Sequence, residues 1–117
     1  MLPNPVSDSL NKLLASLKET EEYAALTEAR SNVDSNPTLK ALFKEYRQLE
    51  IRIRAGQLNG KTDDEAMHKL ESIGGLINDD PEGMALLFAE YKMNVLMAEL
   101  YRKMAEAAGT DLGIFED

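Results

Sequence analysis

The chain contains one histidine, His68, which lies in the only setting that resembles a metal site. On a helix, Asp64 and Glu71 would lie about one turn on either side of it. A metal site requires several ligands at set spacings, and a catalytic histidine requires a polar partner. Neither pattern is complete here. The spacing favours an exposed helical histidine, and we predict no metal site and no cofactor.

The run Asn59-Gly60-Lys61-Thr62 ends in the way that a phosphate-binding loop ends. That motif needs a second glycine five positions before Gly60, where Ala55 stands, and a preceding strand, where the apolar pattern is helical. We therefore predict that Lys61 is a loop lysine and that Thr62 caps the next helix.

Two acidic runs, residues 63–65 and 79–80, stand at predicted helix starts, where carboxylates favour the helix dipole. They lack the ligand spacing and the glycine of a calcium loop. No serine has the flanking residues of a nucleophile elbow. The protein is therefore predicted not to be an enzyme.

Composition limits the remaining function classes. A chain of 117 residues with 44% hydrophobic and 29% charged residues predicts a single helical domain over residues 1–117. The formal net charge of -8 makes nucleic acid and anionic membranes unfavourable partners. The absence of cysteine excludes disulfides and thiolate metal sites. The start MLPNPVSDSLNKLL has no basic region or long apolar run, so we expect a cytoplasmic protein without a signal peptide.

The apolar spacing is helical almost throughout and predicts an all-α chain of five helices. Ser7 or Ser9 is expected to cap the first helix, and Thr20 the second. Asn36-Pro37 and Asp80-Pro81 are typical starts for two longer helices. The last helix is expected to run to about Ala108, so residues 6–108 form the helical core and residues 109–117 a short C-terminal tail.

One five-residue pattern occurs twice, as LFKEY at residues 42–46 and as LFAEY at residues 87–91. Each copy follows an Asx-Pro pair, so we predict a leading helix followed by two related helical hairpins. The Pro-to-Leu spacing differs by one residue between the copies. The alternative is chance similarity between two amphipathic helices.

The last helix is apolar around most of its circumference and must therefore be covered on most sides. At about 1.5 Å per residue, this helix is about 40 Å long. Four shorter helices can cover one side of such a helix more easily than all of its sides. We predict a homodimer with this helix at its centre; a monomeric bundle around the same helix is the alternative. The predicted interface residues are Leu87, Tyr91, Met93, Met97, Leu100, Tyr101 and Met104.

The third helix has a basic stripe on an otherwise acidic chain. Residues 40–61 hold six cations and two acids, a balance of plus four, so the other residues carry minus twelve. The stripe consists of Lys40, Lys44, Arg47 and Arg54, interrupted by Ile51. It is a candidate surface for an acidic protein partner or an RNA backbone; the alternative is a solvated face without a partner.

The order of these elements resembles the YlbF/YmcA family of small helical bacterial proteins, and is most similar to its YheA-like branch. The resemblance rests on the Thr-Glu-Glu-Tyr and Asn-Pro helix starts, LFKEYRQLEIRI, the glycine-bounded loop, and MNVLMAELYRKM. It implies an all-α fold, dimers or other helical assemblies, and no known catalysis.

The resemblance also implies a regulatory role. YlbF and YmcA are accessory regulators of competence, sporulation and biofilm formation, in a complex that is linked to a messenger-RNA-processing ribonuclease and carries iron–sulfur clusters. This chain has no cysteine to bind such a cluster. We therefore expect a non-enzymatic, homodimeric adaptor with an unidentified protein partner, linked to RNA processing or developmental regulation. The alternative is an RNA-binding accessory factor that uses the basic stripe.

Overall fold

The computed structural model describes residues 1–109 and contains five α-helices and no strand within that range. The helices are α1 (Asn4–Leu17), α2 (Glu21–Asp34), α3 (Pro37–Leu58), α4 (Asp64–Asn78) and α5 (Pro81–Ala108). The predicted all-α class is confirmed, with a leading helix and a long last helix. Apart from Gly109, the predicted tail at residues 109–117 lies outside the described residues.

The chain divides into two compact units. The first contains Met1–Thr27 and the chain from Phe88 onward, and so includes α1, the first turns of α2 and most of α5. The second contains Glu28–Leu87, and so includes all of α3 and α4, which pack against each other. The single domain over residues 1–117 stays a prediction.

Apolar side chains from α3 and α4 form the centre of the second unit. All the buried residues of these two helices are apolar: Leu39, Phe43, Leu49, Ala66, Ile73 and Ile77. Fully burying a large apolar side chain contributes about 1.5–3 kcal/mol. The contact between α3 and α4 is therefore a principal source of stability in this unit.

Three helix starts have the side-chain caps that the sequence predicts. Thr20 Oγ1 accepts the Tyr23 N–H at 3.1 Å before α2. Asn36 Oδ1 accepts the Leu39 N–H at 3.2 Å before α3, and Asp80 Oδ1 accepts the Glu82 N–H at 2.9 Å before α5. Each bond satisfies a backbone donor that the helix itself leaves without an acceptor.

Two predicted caps were wrong. The first helix begins at Asn4 without a side-chain cap, so neither Ser7 nor Ser9 caps it. A proline in its first turn has a backbone angle that suits a helix start, which moves this start ahead of the serines. The cap of α4 is Asp63 rather than Thr62, because Asp63 Oδ1 accepts the Ala66 N–H at 3.0 Å.

The run that resembles a phosphate loop is the C-terminal end of α3. The Lys61 N–H donates to the Gly56 carbonyl at 2.8 Å, and the Gly60 N–H donates to the Gln57 carbonyl at 3.0 Å. This pair of bonds is a Schellman motif, which requires a left-handed residue, and Gly60 has a φ of 69°. Lys61 is a loop lysine, as predicted.

An ion pair crosses this turn. Arg52 Nε on α3 donates to Asp63 Oδ2 at 2.7 Å, while the other oxygen of the same carboxylate caps α4. The backbone N–H of Ala66 is the main cause of a lowered pKa of Asp63, and the hydrogen bond and charge of Arg52 lower it further. One carboxylate therefore connects the end of α3 to the start of α4.

Three glycines differ in the space around them. A Cβ built on Gly83, in the first turn of α5, would overlap the carbonyl oxygen of Ile77 in α4. A Cβ on Gly74 would lie 3.3 Å from the Tyr46 ring, whereas a Cβ on Gly75 would meet nothing within 4 Å. Gly83 and Gly74 therefore permit close packing, and Gly75 does not serve this purpose.

We predict that the stability contributed by Asp63 depends on pH. A carboxyl with a lowered folded-state pKa stabilises the fold above its ordinary value near 3.8, and this contribution disappears as pH falls through the folded value. An asparagine at this position would cap equally well but carries no charge. Urea unfolding at pH 7 and pH 3 should therefore show a smaller acid-induced loss for Asp63→Asn than for wild type. Asp8→Asn, on exposed α1, is the control and should behave like wild type; equal losses in all three proteins would contradict the prediction.

We predict that Gly83→Ala destabilises the protein by about 1–3 kcal/mol, because α5 must move away from the Ile77 carbonyl. Gly75→Ala makes the same chemical change in open helical space and should stabilise by about 0.5–1 kcal/mol. Chemical denaturation of both variants measures the two free energies of unfolding. If both variants change the free energy of unfolding in the same direction, the close approach of Gly83 to Ile77 does not affect stability.

Candidate interaction surfaces on the two long helices

The two long helices, α3 and α5, start from equivalent caps, so their residues can be compared by distance from Asn36 and Asp80. The third residue after each cap is buried, Leu39 in α3 and Gly83 in α5. Because both helices have about 3.6 residues per turn, positions at equal distance from the cap point in equivalent directions. The two helices can therefore be aligned turn by turn.

This alignment shows that the phenylalanines of the two LFxEY copies point in different directions around their helices. Phe43 is the seventh residue after its cap and is 6% exposed. Phe88 is the eighth residue after its cap and is 58% exposed. One residue rotates a side chain by about 100° around a helix. The single-residue difference in spacing therefore moves the second phenylalanine from the core side of its helix to the outer side.

The outward positions of α3 form the basic stripe. Lys40, Lys44 and Arg54 are exposed, and none has an ion-pair partner among residues 1–109. Between Arg47 and Arg54 lies Ile51, which is 64% exposed. We call Lys40, Lys44, Arg47, Ile51 and Arg54 the α3 outer face. It combines positive charge with an apolar side chain at its centre.

Arg47 differs from the other cations of this face because it has several contacts. Its Nη1 donates to Glu50 Oε1 at 3.2 Å. Its guanidinium carbon lies 5.5 Å from the centroid of the Phe43 ring and 5.8 Å from that of Tyr46. These contacts restrict Arg47, so Lys40, Lys44 and Arg54 are the cations of this face best placed to meet a partner.

The equivalent positions of α5 are apolar. Phe88 corresponds to Lys44, Tyr91 to Arg47 and Val95 to Ile51, counted from the caps. Tyr91 is 64% exposed and Val95 is 50% exposed. We call Phe88, Tyr91 and Val95 the α5 outer face. Exposed aromatic side chains that are grouped in this way are typical of protein-binding surfaces.

A groove of about 320 Å³ lies along this face, within the first unit. Tyr91, Val95 and Leu96 provide its apolar part, and its charged lining consists of Glu22, Lys92 and Glu99. The Lys92 ammonium lies 5.2 Å from the centroid of the Phe88 ring, which is within cation–π range. The lining of the groove thus combines apolar side chains with charges of both signs.

The residues predicted for the dimer interface lie in two environments. Tyr91, Tyr101 and Met104 are exposed. The other four are half-buried: Leu87, Met93, Met97 and Leu100. Because the sequence showed only that α5 is apolar on most sides, it did not separate the inward side from the outward side. The interface stays a prediction.

Phe88, Val95 and Ile51 were missed as surface residues. The repeated LFxEY pattern assigned no surface role to Phe88, and Ile51 was predicted only to interrupt the stripe. The available signal was the three-four spacing of Lys44, Arg47 and Ile51, which recurs with apolar residues in α5. Counting from the caps shows that the two copies of the pattern differ in helix phase, but it does not show which side of either helix is covered.

The structure also places the one histidine, which was considered as a metal ligand. His68 is exposed on α4. In the part of the chain that the structure describes, no three histidine, cysteine, aspartate or glutamate side chains are grouped closely enough to hold a metal ion.

No helix within residues 1–109 has the length and apolar character needed to cross a bilayer. No residue of α1 is buried, and Val6, Leu10 and Leu14 are exposed on it.

Comparisons with known proteins identify relatives along nearly the whole chain. Residues 6–107 match the family described as "Control of competence regulator ComK, YlbF/YmcA". A UPF0342 protein of Halothermothrix orenii is 31% identical over 111 residues, which cover 94% of this chain and 92% of the relative. A UPF0342 protein of Staphylococcus aureus strain JH9 is 35% identical over 94 residues, which cover 80% of this chain and 82% of the relative.

A solved structure has the same fold. It is a protein of unknown function (DUF964) from Bacillus stearothermophilus, with a TM-score of 0.78 and 17% identity. The match covers 91% of this chain and 94% of that chain. The predicted family resemblance is confirmed by these matches, while the YheA-like branch stays a prediction.

We predict opposite outcomes for the two phenylalanines of the repeated pattern. Phe43→Ala should destabilise the fold by about 3–5 kcal/mol, because it opens a cavity at a buried site. Phe88→Ala should cost less than about 1 kcal/mol, because that side chain is already mostly in water. Urea denaturation at protein concentrations low enough to keep the chain monomeric measures the free energy of unfolding of each variant. Equal destabilisation would contradict the inferred difference in helix phase.

Proposed function

Since the chain belongs to the YlbF/YmcA family, we propose that it is a non-enzymatic regulatory adaptor that acts by protein–protein contact in the bacterial cytoplasm. The family description names control of the competence regulator ComK, which is a regulatory role. An adaptor needs surfaces rather than a reaction centre. The two outward helix faces are the surfaces that support this proposal.

The observation that carries the proposal is the composition of the α3 outer face. Ile51 is exposed at its centre, and Lys40, Lys44 and Arg54 surround it without ion-pair partners among the described residues. A solvated charged face does not need a large aliphatic side chain at its centre. A face with an apolar centre and a cationic rim is complementary to an amphipathic segment with acidic flanks.

In this proposal, the two long helices have separate roles. The α3 outer face binds the regulatory partner, and α5 provides the homodimer contact. The net charge of -8 on the chain as a whole concentrates attraction for an acidic partner on the α3 outer face. A role in RNA processing or developmental regulation is the cellular setting that the family resemblance suggests.

RNA binding is the second candidate, because the three exposed cations of the α3 outer face could also contact phosphates. The exposed Ile51 favours a protein partner, since a phosphate backbone has no apolar group for it to meet. Binding of RNA would also be opposed by the acidic remainder of the chain.

We predict that Lys40→Glu with Lys44→Glu reduces recovery of the partner about tenfold or more when the tagged protein is purified from its native cells. The control, Lys12→Glu with Lys18→Glu, makes the same charge change on exposed positions around α1 and should leave recovery unchanged. Quantitative mass spectrometry of the bound proteins is the measurement. Ile51→Asp should give the same loss as the stripe variant, because it removes the apolar centre.

The same purification separates the two candidates. If recovery persists after nuclease treatment, a protein partner is supported. If nuclease removes it, and purified protein binds RNA with an affinity that falls steeply with added salt, the RNA-binding function replaces the adaptor. Equal recovery by the stripe variant and its control would contradict a role for the α3 outer face.

A further inference from the structure

We propose that two copies of this chain pair through the α5 outer face in antiparallel orientation, with Lys92 of each copy beside Glu99 of the other. This inference rests on the homodimer of the proposed function and adds the surface, the polarity and the charged pair. It draws on residues 88–99 of α5 and on the groove beside them.

The apolar part of the surface requires an apolar occupant. Phe88, Tyr91 and Val95 are each at least half exposed, and they follow three-four spacing along one side of α5. This is the spacing by which one helix packs along another. The groove beside them is apolar at Tyr91, Val95 and Leu96. A second helix with the same spacing would cover both the ridge and the groove.

The charges on the rim are complementary to themselves. Lys92 and Glu99 are seven residues apart, so they lie two turns from each other on the same side of α5, about 10 Å apart along the axis. Both line the groove. Neither has an ion-pair partner within the chain, as far as residues 1–109 are described. A partner helix with an acidic residue opposite Lys92 and a basic residue opposite Glu99 would form an ion pair with each of them.

A second copy provides that opposite order only when the helices are antiparallel. In a parallel two-fold pair, residues at the same height face copies of themselves, so Lys92 would approach Lys92 of the partner subunit. In an antiparallel pair centred between Val95 and Leu96, Lys92 lies opposite Glu99 of the partner subunit, and symmetry repeats the pair. Like charges that face each other destabilise a pairing, so the rim selects the antiparallel arrangement.

The groove gives the lysine a second acidic neighbour. Glu22, at the start of α2, lines the same groove as Glu99. Lys92 of the partner subunit would therefore enter a groove with carboxylates from two helices. Val95 lies near the two-fold axis in this arrangement, where it packs against Val95 of the partner subunit and excludes water between the two ion pairs.

The exposed aromatic area of this face is modest. Aromatic side chains bury about 150–250 Å² each when fully covered, and the two on this face are already partly covered. Their exposed area is small beside the roughly 1,200–2,000 Å² of a standard stable interface. We therefore expect a reversible dimer, and the test must span a wide range of protein concentrations.

Charge reversal tests the pairing. Lys92→Glu alone, or Glu99→Lys alone, places like charges opposite each other twice in every dimer, and each should weaken self-association about tenfold. An equimolar mixture of the two variants should associate as strongly as wild type, because every facing pair is then opposite in charge. The double variant Lys92→Glu/Glu99→Lys should also recover. Sedimentation equilibrium across the concentration series measures each dissociation constant.

Lys61→Glu, in the exposed loop after α3, and Glu45→Lys, exposed on α3, make the same charge changes away from the α5 outer face and should leave the dissociation constant unchanged. Circular dichroism confirms that each variant is folded. A dimeric wild type whose single variants dimerise equally well would overturn this pairing and leave the homodimer intact. Weakened single variants whose mixture does not recover would overturn the antiparallel polarity. A wild type that stays monomeric throughout would overturn both the pairing and the homodimer, leaving the face to a different occupant.

Discussion

The start of each long helix fixes the direction in which every later side chain of that helix points around the helix axis. Asn36 and Asp80 accept backbone N–H groups in the first turns of α3 and α5, and Pro37 and Pro81 follow them. Once a helix starts at a fixed residue, each later position has a fixed direction, because every residue adds about 100° of rotation. A shift of one residue between the cap and the LFxEY pattern is therefore enough to bury Phe43 and expose Phe88.

The contact between α3 and α4 supplies a rigid base for one of the two faces. Buried apolar residues from both helices pack together, and Gly74 allows the Tyr46 ring to lie close to the backbone of α4. The turn between these helices is closed by the left-handed Gly60 and by the Arg52–Asp63 ion pair. Since these features fix the inner side of α3, its outward side is presented as one continuous surface.

The outward positions of α3 and α5 are equivalent in direction but differ in chemistry. Lys44, Arg47 and Ile51 on α3 correspond to Phe88, Tyr91 and Val95 on α5. A basic face with an apolar centre and an aromatic face with a mixed rim favour different partners, because charge selects a partner while apolar area supplies most of the binding energy. In the proposed function, the two faces therefore have separate binding roles.

The sequence by itself determined the five helices, their order and most of their starts, since apolar periodicity and Asx-Pro caps are local signals. It also led to the family, because element order and apolar pattern extend along residues 6–107. The predicted starts were wrong at Ser7, Ser9 and Thr62, because Pro5 lies in the first turn of α1 and Asp63 caps α4. Only the tertiary structure decided which side of α5 faces outward. That helix is apolar around most of its circumference, and periodicity cannot choose between two apolar sides until other helices cover one of them.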